Sequence, residues 1–356
     1  MTLADLGADV IRVDRPGGNA LKVAPPHTDI LGRGRPSVAI NLKDPRGVEV
    51  VLDLVESADI LIEGLRPGVT ERLGLGPEDC HARNPKLVYG RMTGWGQTGP
   101  FAQVAGHDIN YIAISGALDP LGRAGGPPQF PMNVLGDFAG GSMYLVAGVL
   151  AALTHARATG QGQVVDAAIT DGAANLMAMH QSMQQGGTAP GPRGTNMLDS
   201  GAPFYDVYET ADGRWMSVGA LEPQFYDALI QGLGLDAVPD RNDFAQWGAL
   251  RDLFTSTFKS KTQAQWSEIF EGTDACVAPV VPLKEAINHP HNAARGTYVE
   301  VDGLVQAAPA PRFSVTPATL TTAPEVPGAS TVKALQDWGI EHVDQLIADG
   351  VAVQAD

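Results

Sequence analysis

Apolar positions along the chain follow two spacings. Short aliphatic runs, Asp9-Val10-Ile11-Arg12-Val13, Ser37-Val38-Ala39-Ile40-Asn41-Leu42, Asp59-Ile60-Leu61-Ile62-Glu63 and Leu87-Val88-Tyr89-Gly90, read as strands. Between them, Val48, Val51, Leu52, Leu54 and Val55 after Pro45 mark one face of a helix over 45–57, and a short helix is predicted near 68–73. Leu3 and Leu6 end a helix stopped by Gly7, and a Pro/Gly loop follows the first strand. Strands alternating with helices in short units imply an α/β fold, a parallel sheet with helices on its faces. Farther on, 138–156 and 164–185 read as two long apolar helices joined by a turn at Gly160-Gln161-Gly162.

The Gly/Pro-rich segment 186–203 reads as a linker, and the pattern changes after it. Residues 205–218 alternate about Ala211-Asp212-Gly213, which predicts a hairpin. Helices near 223–233, 247–258 and 262–272 complete a smaller α+β domain. Prolines return at 307–317 and 323–328, before one more helix over 331–338.

Composition narrows the function. The chain has 356 residues and a formal charge of −16. Such length suggests about two domains, and so acidic a surface argues against nucleic acid or an anionic membrane as partner. The greasiest stretch, sixteen residues over 138–153, falls short of the ~20 needed to cross a bilayer and reads as a buried helix. Two cysteines, Cys80 and Cys276, make neither a disulfide framework nor a four-thiolate zinc site, so a reducing, cytoplasmic compartment is expected. The residues following Met1 do not read as a signal peptide. No Walker loop, complete Gly-x-Gly-x-x-Gly fingerprint or Gly-x-Ser-x-Gly elbow occurs. His289-Pro290-His291 reads as a solvated loop, and no metal site is expected.

Three segments carry candidate chemistry. In Gly106-His107-Asp108-Ile109-Asn110-Tyr111, Asp108 reads as a helix cap, while His107 is either a surface residue or a proton-transfer group. Asp137, in Asn133-Val134-Leu135-Gly136-Asp137-Phe138, reads equally as the N-cap of the long helix or as a base favoured by that helix's N-terminus. Gly140 and Gly141, poor helix formers, suit close approach of a ligand. Glu63 ends a strand ahead of Gly64-Leu65-Arg66-Pro67-Gly68, where ligands sit in open parallel sheets, and Arg72 either holds a phosphate or lies on an exposed helix face.

Together these segments resemble family III CoA-transferases, and within that family the α-methylacyl-CoA racemases. The resemblance is carried by residues 3–13, Leu42-Lys43, Ile62-Glu63-Gly64-Leu65-Arg66-Pro67-Gly68-Val69, Arg72-Leu73-Gly74-Leu75-Gly76, Arg91-Met92-Thr93-Gly94-Trp95-Gly96-Gln97-Thr98-Gly99-Pro100 and Gly136-Asp137-Phe138. Val165-Asp166-Ala167-Ala168, Gly201-Ala202-Pro203, Tyr208-Glu209, Gly213-Arg214 and Glu222-Pro223-Gln224-Phe225 extend it over nearly the whole chain.

The resemblance implies an interlocked homodimer, each subunit with a Rossmann-like large domain built from both chain ends and a small domain reaching toward its partner's active site. On that basis the large domain is expected over 1–185 plus 312–356 and the small one over 204–300, with linkers at 186–203 and 301–311. Relatives carry a strand and a turn ahead of the point matching Met1, so the natural chain is expected to start upstream. The implied activity is racemisation at C2 of 2-methylacyl-CoA thioesters through an enolate. His107 and Asp137 would face opposite sides of the α-carbon, and Glu222 would support the histidine. Arg15, Lys43 and Arg72, around Ile40, Gly64 and Leu65, would hold the CoA body. Asn133, Gly136 and Asp108 are candidates for enolate stabilisation or support. No cofactor is expected, since CoA is part of the substrate. Two other readings stay open: a CoA-transferase in which Asp137 is acylated, and a non-catalytic acyl-CoA-binding paralogue.

Overall fold

The computed structural model describes residues 1–18, 24–320 and 322–355. Residues 19–23, part of the expected Pro/Gly loop, lie outside the described residues. The mixed α/β chain divides into two compact units that interleave in sequence. One comprises Met1–Ala105, Gly141–Ile169 and Ile287–Asp356, the other Gly106–Gly140 and Thr170–Ala286. The expected domain boundaries cut across this division: 106–140 and 170–185 belong with the hairpin-containing unit, and 287–300 with the other.

In the first unit, the helix Pro45–Ser57 begins where Asp44 accepts a hydrogen bond from the Arg46 amide. Val50, Val51, Leu54 and Val55 bury its apolar face in a core shared with Val38, Ile40 and Leu335. Each such side chain contributes ~1.5–3 kcal/mol by leaving water. The strand Ser37–Ile40 pairs in parallel with Arg12–Asp14 and antiparallel with Ala352–Val353. Both its edges are taken, so these strands close as a three-stranded sheet. Ile60–Glu63, Val88–Thr93 and Gln163–Ala168 form a second, wholly parallel sheet.

Gln163–Ala168 corrects the helix expected over 164–185. Val164 and Val165 favour a pleated strand. Gly162 lets the chain enter the ladder, because a Cβ there would lie 2.0 Å from the Leu87 carbonyl oxygen. Helix resumes over Ile169–Leu176 and Ala178–Gln185. The preceding helical run, Val134–Thr159, has 26 residues and a strongly apolar composition. It is thus longer than its greasiest segment suggested, and by length and composition alone sufficient to cross a bilayer. Its Leu145, Val149, Ala152 and Ala156 pack against Val88 and Ala167 of the parallel sheet.

The expected linker 301–311 contains a strand. Leu304–Ala307 pairs antiparallel with Tyr298–Val301, and Asp302 and Gly303 both adopt the left-handed conformation of a tight hairpin turn. The Asp-Gly pair was the available signal. His289 and Pro290 likewise open a short helix, Pro290–Arg295, where a loop was expected; proline is preorganised for the first helical position.

In the second unit, the hairpin Tyr205–Glu209 with Trp215–Gly219 forms as predicted and gains a third strand, Val277–Pro279. Its buried face meets Phe254, Phe258 and Trp266 from the predicted helices Trp247–Phe258 and Gln263–Phe270. Thr262 caps the latter helix: its hydroxyl accepts from the Gln265 amide at 3.3 Å, and the Gln265 side chain accepts from the Thr262 amide at 2.9 Å. Thr262→Ala should therefore lower unfolding stability by ~1 kcal/mol with an unchanged urea m-value; wild-type stability would show that the cap contributes nothing.

The segment 186–203 is a built loop rather than a free linker. The Asp199 carboxylate accepts from the amides of Gly194, Asn196 and Gly201. The Arg251 guanidinium donates to the carbonyls of Ser200 and Gly201 at 2.7 and 2.8 Å. These partners satisfy backbone groups that no ladder reaches.

Candidate active site

Four predicted residues, His107, Asp108, Gly136 and Asp137, meet where two helical segments of the second unit pack. His107 is exposed and is the N-cap residue of the helix Asp108–Ile114, its amide donating to Asn110 Oδ1 at 3.1 Å. Ile112, fully buried with Ala117 and Ala173, anchors that helix. Asp137 stands inside a π-helical segment, Val134–Met143, not at its cap. Widened turns of this kind recur at functional sites.

Asp108 does not serve as the helix cap that its position suggested. It is 5% exposed, and its Oδ2 accepts a hydrogen bond from the Asp137 amide at 2.7 Å. Gly136 makes this contact sterically possible, since a Cβ there would fall 2.4 Å from the same oxygen. Asp108 Oδ1 is buried without a hydrogen-bond partner among the described residues. Asn133 donates to Asp137 Oδ2 at 3.1 Å, which makes it a partner of the carboxylate itself. Gly140 has a packing reason in place of the expected ligand contact: a Cβ would lie 2.7 Å from the Ala173 amide nitrogen.

Glu222 forms no ion pair with His107 among the described residues. It is exposed, precedes the helix Pro223–Leu233, and makes no hydrogen bond to His107 among the described residues. Its charge instead adds to burial in raising the pKa of the Cys276 thiol.

The residues expected to hold CoA lie in the first unit. Ile40 is 0% exposed, so its side chain belongs to the core and offers a ligand no surface. Lys43 is exposed just beyond the strand Ser37–Ile40, and Gly64 and Leu65 are exposed just beyond Ile60–Glu63. Both positions follow carboxyl ends of parallel strands, where open α/β sheets receive ligands. Arg72 is exposed on the helix Val69–Arg72, and Arg15 donates to the Gly18 carbonyl at 2.5 Å. Arg15, Lys43 and Arg72 enter no salt bridge among the described residues.

A buried ion pair underlies this edge, between Glu63, the strand-end candidate, and Arg91, the first residue of the motif over 91–100. Arg91 and Glu63 are both 7% exposed in their side chains, with Arg91 Nε and Glu63 Oε1 2.8 Å apart. The other Glu63 oxygen accepts from the Leu65 amide at 2.7 Å, fixing the Gly64-Leu65 turn. Arg91 also binds Glu71 at 2.7 Å, and this hydrogen bond holds the Glu71 pKa down at about 2. Burial pushes the Glu63 pKa upward.

The fold and this cluster define an α/β protein that joins an imidazole-bearing helix to a carboxylate-bearing one, apt for proton transfer or acyl capture. The chain belongs to CoA-transferase family III, whose family model matches residues 1–331. It is 44% identical over 358 residues to human α-methylacyl-CoA racemase, covering 99% of this chain and 92% of the human protein. The mouse α-methylacyl-CoA racemase is likewise 44% identical, over 359 residues, with 99% and 92% covered. Among solved structures, a CaiB/BaiF family protein from Brucella suis superposes with a TM-score of 0.81 at 24% identity, covering 95% of this chain and 93% of that one; it shares the fold.

Proposed function

We propose that this enzyme is an isomerase that inverts C2 of 2-methylacyl-CoA thioesters, taking the α-proton from one face and returning a proton to the other through an enolate. The near-full-length identity to two α-methylacyl-CoA racemases supports the reaction. The observation that carries the two-base mechanism is the hydrogen bond from the Asp137 amide to Asp108, the residue after His107. It ties the backbone of Asp137 to the side chain of the residue that follows His107. In one direction the Asp137 carboxylate takes the proton while imidazolium His107 delivers one; in the other direction neutral His107 takes it and protonated Asp137 delivers. CoA belongs to the substrate, and the chemistry needs no other cofactor.

In this proposal Glu222 supports His107 across an interlocked homodimer, since within one chain no hydrogen bond joins the two and the Glu222 charge acts on Cys276. Exposed apolar side chains in the second unit, among them Ile114 at 64% and Met132 at 72%, favour cover by a partner or an acyl chain. The proposed setting is cytoplasmic, with no nucleic-acid or membrane partner.

The decisive experiment follows solvent deuterium into C2 of a 2-methylacyl-CoA by NMR, with hydroxylamine present in a parallel reaction. Exchange with inversion and an unmodified Asp137 is expected. Hydroxylamine-trapped Asp137 would instead identify an acyl transferase, and bound acyl-CoA without exchange a non-catalytic paralogue. Lys43→Ala with Arg72→Ala should raise KM for the acyl-CoA several-fold, with the gap narrowing at high salt, because both charges would act on phosphates. An unchanged KM would remove them from the CoA site.

A further inference from the structure

The Asp108 carboxylate has a place in the site that its neighbours' roles do not explain. It is buried and follows His107 directly, yet its bonded oxygen is spent on the backbone of Asp137, 29 positions along the chain. Its second oxygen is buried without a hydrogen-bond partner among the described residues, a costly arrangement. The facing segment has given up a side chain to admit it, because any Cβ at Gly136 would overlap both Asp108 Oδ2 and Cγ. Ile112, one turn on from Asp108, lies 3.1 Å from the same missing Cβ, so the two segments are in contact along a full turn.

We infer that Asp108 is a positioning residue: through its hydrogen bond to the Asp137 amide, in the space left by Gly136, it sets the separation of the two proton-transfer groups. The inference rests on the two-base reading above. Inversion needs both groups aligned on one carbon at once, whereas simple exchange needs only one, which can return a solvent-derived proton to the face it came from. A misplacement of about 1 Å can cost on the order of 10²-fold in rate. Loosening this contact should therefore damage inversion more than exchange.

Geometry and charge separate in two variants. Asp108→Asn keeps the reach and an acceptor oxygen but loses the charge. Asp108→Glu keeps the charge but adds a methylene where Gly136 leaves no room. With one enantiomer of a 2-methylacyl-CoA in D2O, deuterium at C2 is measured by NMR, and product configuration by chiral chromatography after thioester hydrolysis. Asp108→Asn should retain most of the inversion and a near wild-type ratio of inversion to retained-configuration exchange. Asp108→Glu should lose inversion by about 10²-fold, with the ratio shifted at least tenfold toward retention. If Asp108→Glu does not fold, Asp108→Ala takes its place with the same expectation. Because a general loss of folded protein lowers exchange and inversion alike, an unchanged ratio in Asp108→Glu or Asp108→Ala overturns the assignment. So does an Asp108→Asn variant as impaired as either, which would make the charge itself the active feature. Failure of the underlying two-base reading looks different: His107→Ala and Asp137→Ala would then leave wild-type exchange intact.

Discussion

Asp137→Asn is expected to lower inversion at C2 by about 10²–10⁴-fold, the usual contribution of one general acid–base group. The substitution is nearly isosteric. Its backbone amide still donates to Asp108, and the new side-chain oxygen can still accept from Asn133, so the helical segment should keep its place. What disappears is the ability to take or deliver a proton at that face. One half of the reaction should survive. The enantiomer whose α-hydrogen faces His107 should still exchange with D2O and come back with its configuration retained. His107→Ala should give the mirror result, exchanging only the other enantiomer. The pair of variants is a sharper test than either rate, because general damage cannot produce opposite enantiomer preferences. Both variants exchanging the same enantiomer, or either retaining wild-type inversion, would sink the two-base mechanism.

Arg91→Ala should be the most destabilising of the substitutions considered, by about 3–5 kcal/mol, because it leaves Glu63 buried without its countercharge. The Glu63 carboxylate cannot turn to water without releasing the Leu65 amide, which it holds at 2.7 Å. The penalty should depend on pH in a defined sense. In the wild type, Glu71 has its pKa depressed from 4.5 to about 2 by the Arg91 hydrogen bond. Its contribution is fully present above the unfolded value and is lost as pH falls toward 2. Glu63 has the opposite sign, since burial raises its pKa, so deprotonating it in the folded state costs stability as pH rises. Without Arg91 the first contribution vanishes and the second grows. The gap between variant and wild type in urea unfolding should therefore be widest near neutrality and narrow as the carboxylates protonate. Replacing Glu63 and Arg91 together by leucine should recover part of the loss, as apolar replacements of buried ion pairs do. A single variant within ~1 kcal/mol of wild type at pH 7 would show that the pair is not structurally important.

Much of the fold follows from short windows of the chain. The helix over 45–57, the helices near 223–233 and 247–258, and the hairpin about Ala211-Asp212-Gly213 are each set by a period, a cap or a turn that a dozen residues contain. Gln163–Ala168 escaped because a run rich in alanine and valine fits helix and buried strand alike, and only pairing with Val88–Thr93 decides between them. The loop 186–203 escaped because its order comes from the Asp199 carboxylate and from Arg251, which lies far along the chain.

The candidate site divides in the same way. His107 and Asp137 stand out by residue type and setting, and the motifs around them point to the family from sequence alone. Asp108 as a bridge, Asn133 as a partner of the Asp137 carboxylate and Arg91 beneath the Gly64-Leu65 turn emerged only from the fold. The reason is physical. Residue type and period express what a side chain prefers to bury and which local backbone it favours. A hydrogen bond or ion pair between distant segments depends on two backbones meeting, and no single stretch of the chain contains that meeting.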